Sequence, residues 1–247
     1  MNKTTTRQPL LQVSNLTKSF GGLIAVNDVS FTVNSGEIIG MVGPNGSGKT
    51  TVFNLITGFL RPDRGLVKFD NVDITGWSPT GVCRIGIGRT FQASKPFLHK
   101  TVLENVMVGA FCRVNSAKQA QEIANDILQE VGLAVKADLL AKSLTIADLR
   151  RMELARMLAT QPKLVLLDES MSGLNPTEIA ELLSFFQKLP SRGITVFFVE
   201  HVMTAVMNLA EEIIVLNHGS LLAQGVPTEI VNNKKVVEAY LGKRYVS

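Results

Sequence analysis

The chain has 247 residues, of which 45% are hydrophobic and 19% are charged, so it can bury a sizeable core. That composition excludes an intrinsically disordered chain. The formal net charge of +4 suits an anionic ligand, a nucleic acid or an acidic membrane surface about equally, so charge alone identifies no partner.

No apolar run approaches the roughly 18 to 20 residues of a membrane-spanning helix. The first residues also lack the apolar segment of a secretory signal, so we expect a cytoplasmic protein. The two cysteines, Cys83 and Cys112, have neither CxxC spacing nor nearby histidines. This pattern favours ordinary thiols over a metal site or a disulfide.

The opening of the chain, from Leu10 to Val33, reads as short alternating strands that are broken at Gly21-Gly22 and again at Asn27-Asp28. A buried strand is predicted from Glu37 to Val42, followed by a glycine-rich loop and a helix from Thr50 to about Thr57. The first part of the molecule is therefore expected to be rich in β-structure.

A long stretch from about Ser94 to Met157 is predicted to be mainly helical, and Ala117 to Val131 has the apolar spacing of an amphipathic helix. The later apolar runs of strand length are Leu164 to Leu167, Thr195 to Val199 and Glu212 to Leu216. Runs that are apolar on both faces suit a central parallel sheet covered by helices. The predicted fold class is α/β, with a β-rich N-terminal part and a helical insert.

The loop after the first buried strand matches the phosphate-loop pattern GxxxxGK[ST] in its strand-loop-helix setting. Its residues are Gly43, Pro44, Asn45, Gly46, Ser47, Gly48, Lys49 and Thr50. The glycines let backbone N–H groups turn toward phosphate oxygens, and the helix directs its positive dipole end at them. We expect Lys49, exposed in the loop, to reach the β- and γ-phosphates and the Thr50 hydroxyl to ligate Mg²⁺. The stretch from Gly43 to Thr51 is therefore predicted to bind MgATP.

Two adjacent carboxylates, Asp168 and Glu169, follow the strand that begins at Leu164. They are predicted to lie at the sheet edge where α/β proteins bind ligands, one holding the water shell of a metal and the other polarising an attacking water. His201 follows another strand and is expected at the same edge, close to a γ-phosphate. His99 and His218 are expected to be structural.

In this order, the motifs resemble those of the ATP-binding subunits of ABC transporters over nearly the whole chain. Phe20 in KSFGG matches the aromatic residue that stacks on adenine, and Gln92 in RTFQ matches the Q-loop glutamine. Ser172-Gly173-Leu174-Asn175 resembles the D-loop, and Glu200-His201 resembles the switch. The resemblance implies that Glu169 orients the hydrolytic water, that Gln92 and Asp168 join Thr50 around Mg²⁺, and that His201 contacts the γ-phosphate.

The resemblance also implies a single ABC ATPase domain, of the P-loop NTPase type. Residues 1–92 and 159–247 would form its nucleotide-binding core, and about 93–158 a helical subdomain that docks onto transmembrane permease subunits. Such a chain would be peripheral at the cytoplasmic membrane face, would pair with a second ATPase subunit and would serve an extracytoplasmic solute-binding protein indirectly.

Finer motifs resemble the ATPases of branched-chain amino acid importers. They are Ile87 to Gln92, Thr101 to Asn105, Gly173 to Pro176 and Glu238 to Gly242. Relatives that serve amide or urea substrates or lipopolysaccharide export share several of them. Two further alternatives are a soluble ABC-type ATPase without transport and a P-loop kinase, although a kinase would not explain Gln92, Glu169 and His201 in this order. A nucleic acid partner is not expected.

The signature region departs from the family pattern. Where the family has LSGGQ, this chain has Leu144-Thr145-Ile146-Ala147-Asp148. Thr145 can replace serine as a helix cap, but Ile146 and Ala147 place side chains where glycines would let the backbone approach a phosphate. Asp148 adds a charge that repels a triphosphate. The sequence therefore predicts that this chain works as a heterodimer with a different ATPase subunit, with a homodimer as the alternative.

Overall fold

The computed structural model describes residues 7–91 and 96–241. Its strands, in chain order, are β1 (Pro9–Phe20), β2 (Leu23–Asn34), β3 (Ile38–Val42), β4 (Arg64–Phe69), β5 (Val72–Asp73), β6 (Ile87–Arg89), β7 (Leu164–Asp168), β8 (Thr195–Val199), β9 (Glu212–Asn217) and β10 (Ser220–Gly225). Its α-helices are α1 (Lys49–Ile56), α2 (Pro79–Ile85), α3 (Val102–Ala110), α4 (Ala117–Glu130), α5 (Ile146–Leu158), α6 (Pro176–Lys188), α7 (Met203–Leu209), α8 (Pro227–Val231) and α9 (Lys234–Leu241).

The chain divides into two compact units. The first contains Met1–Pro79 and Leu189–Ser247, and the second contains Thr80–Lys188. Among the described residues, no helix is both long enough and apolar enough to cross a membrane.

The first unit contains two sets of paired strands. In one set, β1 pairs antiparallel with β2 and with β4, and β4 pairs antiparallel with β5. In the other, β3 lies between β8 and β9 and runs parallel to both, while β10 returns antiparallel to β9. All residues of β3 and β8 are buried. The prediction of a central parallel sheet is thus confirmed in this unit. Strands that are covered on both faces need apolar residues on both, which explains their continuous apolar runs.

The predicted break at Asn27-Asp28 is wrong, because β2 continues through it from Leu23 to Asn34. Asp28 takes a left-handed φ of 54°, and the register between β1 and β2 shifts nearby. The Asn15 side chain donates to the Asp28 carboxylate at 2.9 Å. Asn27 and Asp28 therefore lie in a β-bulge, which lets the strand continue past them. The predicted turn at Gly21-Gly22, in contrast, is confirmed.

Aromatic contacts join the strands of the first unit to α1. The Phe197 ring of β8 meets the rings of Phe31 in β2 and Phe53 in α1 edge-on, with centroid distances of 5.6 and 5.0 Å. On β3, a Cβ added at Gly40 would lie 3.2 Å from Val206 of α7, so the small residue lets this helix pack closely on the strand. This core holds the start of α1 in place.

The second unit is mainly helical, with β6 and β7 paired in parallel. Helix α3 packs against α4 and α5, and α4 buries the predicted apolar stripe of Ala120, Ala124, Ile127 and Leu128. A Cβ at Gly109 of α3 would lie only 2.0 Å from the carbonyl oxygen of Arg156 in α5. The two backbones therefore touch at this point.

The Thr101 to Asn105 motif has a local structural role. Thr101 and Glu104 form a reciprocal capping box at the start of α3. The side chain of Asn105, which is fully buried, accepts from the Phe97 N–H at 2.9 Å and donates to the carbonyl oxygens of Phe97 and Thr101 at 3.1 and 2.9 Å. These bonds hold the loop that enters the helix.

Candidate nucleotide-binding site

The phosphate loop lies in the first unit between β3 and α1, as predicted. Gly48 is the N-cap of α1 with a left-handed φ of 103°, and a Cβ there would lie 2.5 Å from the carbonyl oxygen of Ala25. A Cβ at Gly43 would lie 2.2 Å from the carbonyl oxygen of Leu216. Backbone strain and backbone clashes thus require glycine at these positions, which explains part of the motif without any ligand.

The turn between β9 and β10 supports the loop from behind. The Gly219 N–H donates to the Ser47 carbonyl at 3.0 Å, and the Gly219 carbonyl accepts from the Asn27 N–H at 2.7 Å. His218 precedes this glycine with a φ of 46° and belongs to the turn. The Ser47 side chain is buried, whereas Asn45 and Gly46 at the tip of the loop are exposed. The loop is therefore a fixed cradle with an open rim.

Lys49 is not exposed, and this expectation was wrong. It is the first residue of α1 and is only 6% exposed, with its ammonium group donating to the carbonyl oxygens of Gly43 at 2.7 Å and Pro44 at 3.1 Å. Its Nζ also lies 3.5 Å from the Ser47 hydroxyl. The ammonium replaces lost water contacts with carbonyl oxygens of its own loop, because a buried charge must be hydrogen-bonded. Thr50, next along the helix, is exposed.

Tyr240 of α9 also contacts the phosphate loop, which the sequence motifs did not reveal. Burial raises the pKa of the Tyr240 hydroxyl, and a hydrogen bond from the backbone of Gly43 opposes that rise. The aromatic residue in the C-terminal Glu238 to Gly242 motif therefore has a physical connection to the first glycine of the loop. Gly242, at the end of that motif, lies outside the described residues.

Phe20 ends β1 and leaves 45% of its surface exposed. The Lys18 ammonium lies 5.7 Å from the centre of this ring and donates to the Asp63 carboxylate at 2.7 Å. That hydrogen bond is the main reason that the pKa of Asp63 lies below its ordinary value. The exposed ring can accept a flat apolar partner, as an adenine-stacking residue must.

In the second unit, Asp168 ends β7 and is almost fully buried. Its carboxylate accepts from the Arg89 guanidinium of β6 at 2.9 Å, and the side chains are 2% and 5% exposed. Burial lowers the pKa of Arg89, while the hydrogen bond to Asp168 and its negative charge counteract that effect. The backbone N–H of Asp168 donates to the Thr90 hydroxyl at 3.2 Å. Arg89 was missed as a site residue, because its partner lies 79 positions away in the sequence.

Glu169 follows Asp168 directly and is half-buried, with a left-handed φ of 50° that turns the chain at the end of β7. In the first unit, Glu200 is buried and His201 is exposed where the chain passes from β8 toward α7. Gln92 lies outside the described residues. Whether Asp168 and His201 lie at one sheet edge stays a prediction.

The segment from Leu144 to Asp148, which is predicted to be the signature, leads into α5. The Thr145 hydroxyl caps the helix by accepting from the Asp148 N–H at 3.2 Å, and it donates to the Asp148 carboxylate at 2.9 Å. The Lys136 ammonium donates to that carboxylate at 2.6 Å. Asp148 is 7% exposed, while Ile146 is 63% exposed. The negative charge of the motif is thus paired inside the second unit, and an apolar side chain projects from the helix start.

A comparison with protein families gives a match between residues 26–172 and the ABC transporter family. This match spans the phosphate loop and the carboxylate pair, and it ends at Ser172, the first residue of the predicted D-loop. The chain belongs to the ABC transporter ATP-binding family. A second family, described as the branched-chain amino acid ATP-binding cassette transporter, matches residues 220–246.

This ABC chain is 40% identical to the high-affinity branched-chain amino acid transport ATP-binding protein BraF of Pseudomonas aeruginosa, over 96% of this chain and 99% of BraF. It is 34% identical to the lipopolysaccharide export system ATP-binding protein LptB of Haemophilus influenzae, over 96% of this chain and 98% of LptB. The crystal structure of the ADP conformation of MJ1267, an ATP-binding cassette of an ABC transporter, has a TM-score of 0.87 at 34% identity, covering 96% of this chain and all of MJ1267.

These matches confirm the predicted family and the P-loop ABC-type α/β fold. They also confirm the predicted resemblance of the chain to branched-chain amino acid transport ATPases. Membership in the family supports nucleotide binding and ATP hydrolysis, and it implies permease partners in a membrane.

Proposed function

We propose that this chain is the ATP-binding subunit of an importer that couples ATP binding and hydrolysis to uptake of branched-chain amino acids or related small solutes through separate permease subunits. One observation carries the choice of substrate class: residues 220–246 match the C-terminal region of the branched-chain amino acid family. The 40% identity to BraF along nearly both whole chains supports the same choice.

We propose that MgATP binds to the stretch from Gly43 to Thr51, with adenine stacked on Phe20. The exposed rim of the loop and the exposed Phe20 ring support this role. Lys49 would exchange its internal carbonyl acceptors for the β- and γ-phosphate oxygens, since its ammonium already lies inside the cradle. That exchange would couple nucleotide binding to a local change in the loop.

The residues assigned to Mg²⁺ fit a hard cation. Thr50 and Asp168 supply hydroxyl and carboxylate oxygens, the donors that Mg²⁺ prefers, and Gln92 supplies an amide oxygen. The Arg89 guanidinium donates to the Asp168 carboxylate at 2.9 Å and holds it in place. Mg²⁺, when bound, neutralises charge on the β- and γ-phosphates.

We assign proton acceptance from the hydrolytic water to the Glu169 carboxylate. Its position directly after Asp168 at the turn that ends β7 supports this role. His201 is assigned to the γ-phosphate, as a hydrogen-bond donor that registers whether that phosphate is present.

We further propose that the working unit is asymmetric. The phosphate loop of this chain would be completed by an intact signature of a different ATPase subunit, and the site completed by LTIAD would be slow. The exposed Ile146 side chain at the start of α5 supports this assignment, because it occupies space that a glycine would leave open. The Lys136 pair weakens the argument from Asp148 repulsion, so steric bulk is the main cause. A homodimer remains the alternative.

The proposed organisation is one ABC ATPase domain with a nucleotide-binding core of residues 1–92 and 159–247 and a helical subdomain of about 93–158. The subdomain would dock onto the permeases at the cytoplasmic face of the membrane. An extracytoplasmic solute-binding protein would deliver the solute without contacting this chain.

A second candidate function is that of the ATPase subunit of a lipid or lipopolysaccharide exporter, which the 34% identity to LptB favours. A soluble ABC-type ATPase is the third. Purification of the tagged chain from solubilised native membranes distinguishes them. The importer predicts two permeases and a second ATPase in the complex, and leucine uptake by vesicles that contain it. Co-purification with lipid-export components, or with soluble proteins alone, would contradict the proposal.

A further inference from the structure

Two thiols that lie far apart in the sequence meet in the second unit. Cys83 belongs to α2, and Cys112 follows the end of α3. Their sulfur atoms are 3.7 Å apart, and both side chains are half-buried. The separation of 29 positions conceals this contact in the sequence.

The backbone around the two thiols is fixed by Arg113. Its guanidinium donates to the carbonyl oxygens of Thr160 at 2.6 Å, Arg84 at 2.7 Å and Cys83 at 3.4 Å. Arg113, which follows Cys112, therefore links the end of α2 to the turn after α5 by hydrogen bonds. Close packing of α3 on α5 at Gly109 fixes the other side. The sulfur atoms meet because the backbone holds them together, which raises their effective concentration.

We propose that Cys83 and Cys112 form a redox-sensitive modification site, a dithiol that closes to a reversible intramolecular disulfide when hydrogen peroxide oxidises it. A disulfide has an S–S distance of about 2.05 Å, so the sulfurs must approach from contact to bonding distance. Rotation of the two side chains can supply this movement, and half-burial leaves room for a small oxidant but hinders larger ones.

The chemistry balances with one peroxide per chain. The Cys112 thiolate attacks a peroxide oxygen, the O–O bond breaks, and the departing hydroxide takes a proton to leave as water. The Cys83 sulfur then attacks the resulting Cys112 sulfenic acid, forming the S–S bond. The hydroxide expelled from Cys112 takes the Cys83 proton as a second water. Two thiols and one hydrogen peroxide thus yield one disulfide and two waters.

The raised pKa of Cys83 favours one order for these steps. Burial, together with the neighbouring Cys112, raises the pKa of the Cys83 thiol to about 11. At neutral pH Cys83 is therefore a protonated thiol that is slow to attack peroxide, because the thiolate is the nucleophile. Cys112 is left as the peroxide-reactive residue and Cys83 as the resolving one. In a reducing compartment the pair rests as the dithiol.

The bond would close a covalent ring that contains β6 and α3. It would tie the end of α3 to α2, and so limit separation of these helices. Oxidation is thus a means of stiffening the helical part of the subunit without any new partner.

The test uses the purified full chain, treated with hydrogen peroxide and then alkylated. We expect loss of both free thiols, a mass decrease of two hydrogen atoms, and one peptide pair that joins Cys83 to Cys112. The rate should not depend on protein concentration, and dithiothreitol should restore both thiols. Retention of both thiols, or cross-links only between different chains, would overturn the proposal.

Single serine variants test the order of the steps. In Cys83→Ser, the Cys112 sulfenic acid has no resolving thiol, so labelling by dimedone at Cys112 should rise well above that of the wild type. In Cys112→Ser, Cys83 should react little with peroxide or dimedone. Equal dimedone labelling of Cys112 in the wild type and in Cys83→Ser would show that Cys83 resolves nothing.

Discussion

The Lys136 ammonium donates a hydrogen bond of 2.6 Å to the Asp148 carboxylate at the start of α5. Twelve positions separate the two residues, and the Thr145 hydroxyl donates to the same carboxylate oxygen. The Asp148 charge is therefore neutralised locally. Its repulsion toward a nucleotide depends on Lys136.

Lys136→Met should expose that repulsion. We expect ATP binding at the site completed by LTIAD in the assembled permease complex to weaken several-fold, because the unpaired Asp148 charge faces an incoming triphosphate. The double variant Lys136→Met/Asp148→Asn should recover most of the loss. Lys142→Met removes an exposed lysine from the same segment and serves as the control. Titration with labelled ATP measures this affinity, and an equal affinity of that site in Lys136→Met and Lys142→Met would contradict the prediction.

The same pair should make stability depend on pH. Burial raises the pKa of Asp148, but hydrogen bonds from Lys136 and Thr145 outweigh it, so the net pKa lies below the ordinary value of 3.8. A depressed carboxyl pKa stabilises the fold above the unfolded pKa, and this contribution is lost as pH falls through the folded pKa. Urea unfolding should show wild type more stable than Asp148→Asn by about 1 kcal/mol at neutral pH. The charge-dependent part of that difference should shrink as the pH falls below the ordinary Asp value of 3.8 and through the lower folded pKa. A difference that does not change with pH would contradict this.

Lys49→Ala should abolish stabilisation by ATP. At an ATP concentration 100-fold above Kd, binding stabilises the wild-type fold by about 2.7 kcal/mol. The variant should gain almost no stability, because the ATP phosphates no longer contact the Lys49 ammonium. Thermal unfolding with and without MgATP measures this gain. The control is Lys68→Ala, which removes an exposed lysine of β4. An unchanged ATP-dependent shift in Lys49→Ala would exclude the phosphate-loop assignment.

Glu169→Gln should retain ATP and lose turnover. The amide keeps the size of the side chain but cannot accept the proton, so the rate should fall by about 10² to 10⁴. Filter binding and phosphate release in the assembled complex separate the two effects. Glu122→Gln, at an exposed position of α4, should leave both unchanged. Wild-type turnover in Glu169→Gln would assign the carboxylate to another role.

Arg89→Ala should destabilise the protein strongly. It leaves the Asp168 carboxylate buried without its guanidinium partner, and such losses cost about 3–5 kcal/mol. Arg84→Ala, on the exposed side of the same segment, should change the free energy of unfolding by no more than about 0.5 kcal/mol. Urea unfolding of both variants is the measurement, and similar midpoints would disprove a structural role for the Arg89 pair.

Tyr240→Phe tests the link between α9 and the phosphate loop. Removing the hydroxyl frees the backbone of Gly43, and a lost neutral hydrogen bond costs about 0.5–1.5 kcal/mol. ATP affinity should therefore weaken by about 2- to 10-fold, with little change in turnover at saturating ATP. Calorimetric titration with the nucleotide measures the affinity. An affinity equal to that of the wild type would mean that this contact does not shape the loop.

The phosphate loop and the buried strands could be predicted because their signals are local. A glycine-rich loop between an apolar strand and a helix needs no distant residue to be recognised, and β8 has the predicted bounds of Thr195 to Val199. The break at Asn27-Asp28 was predicted wrongly because the residues that hold the bulge, among them Asn15, lie on another strand. Tertiary contact overrides turn propensity there.

The hydrogen-bond and charge partners in the candidate site could not be predicted from the sequence for the same reason. Lys49 reads as an exposed lysine until the carbonyl oxygens of its own loop are placed around it. Arg89 and Asp168 are separated by 79 positions, and only the pairing of β6 with β7 brings them together. The family motifs identified the residue types, but their charge partners required coordinates.

The contact between Gly109 and the Arg156 carbonyl also bears on how force passes through the helical part of the protein. No flexible side chain separates α3 from α5 at this contact, so a movement of one backbone should displace the other directly. The N-terminal end of α5 carries Thr145. A displacement of α3 should therefore move α5 with it, and with α5 the residues at its N-terminus.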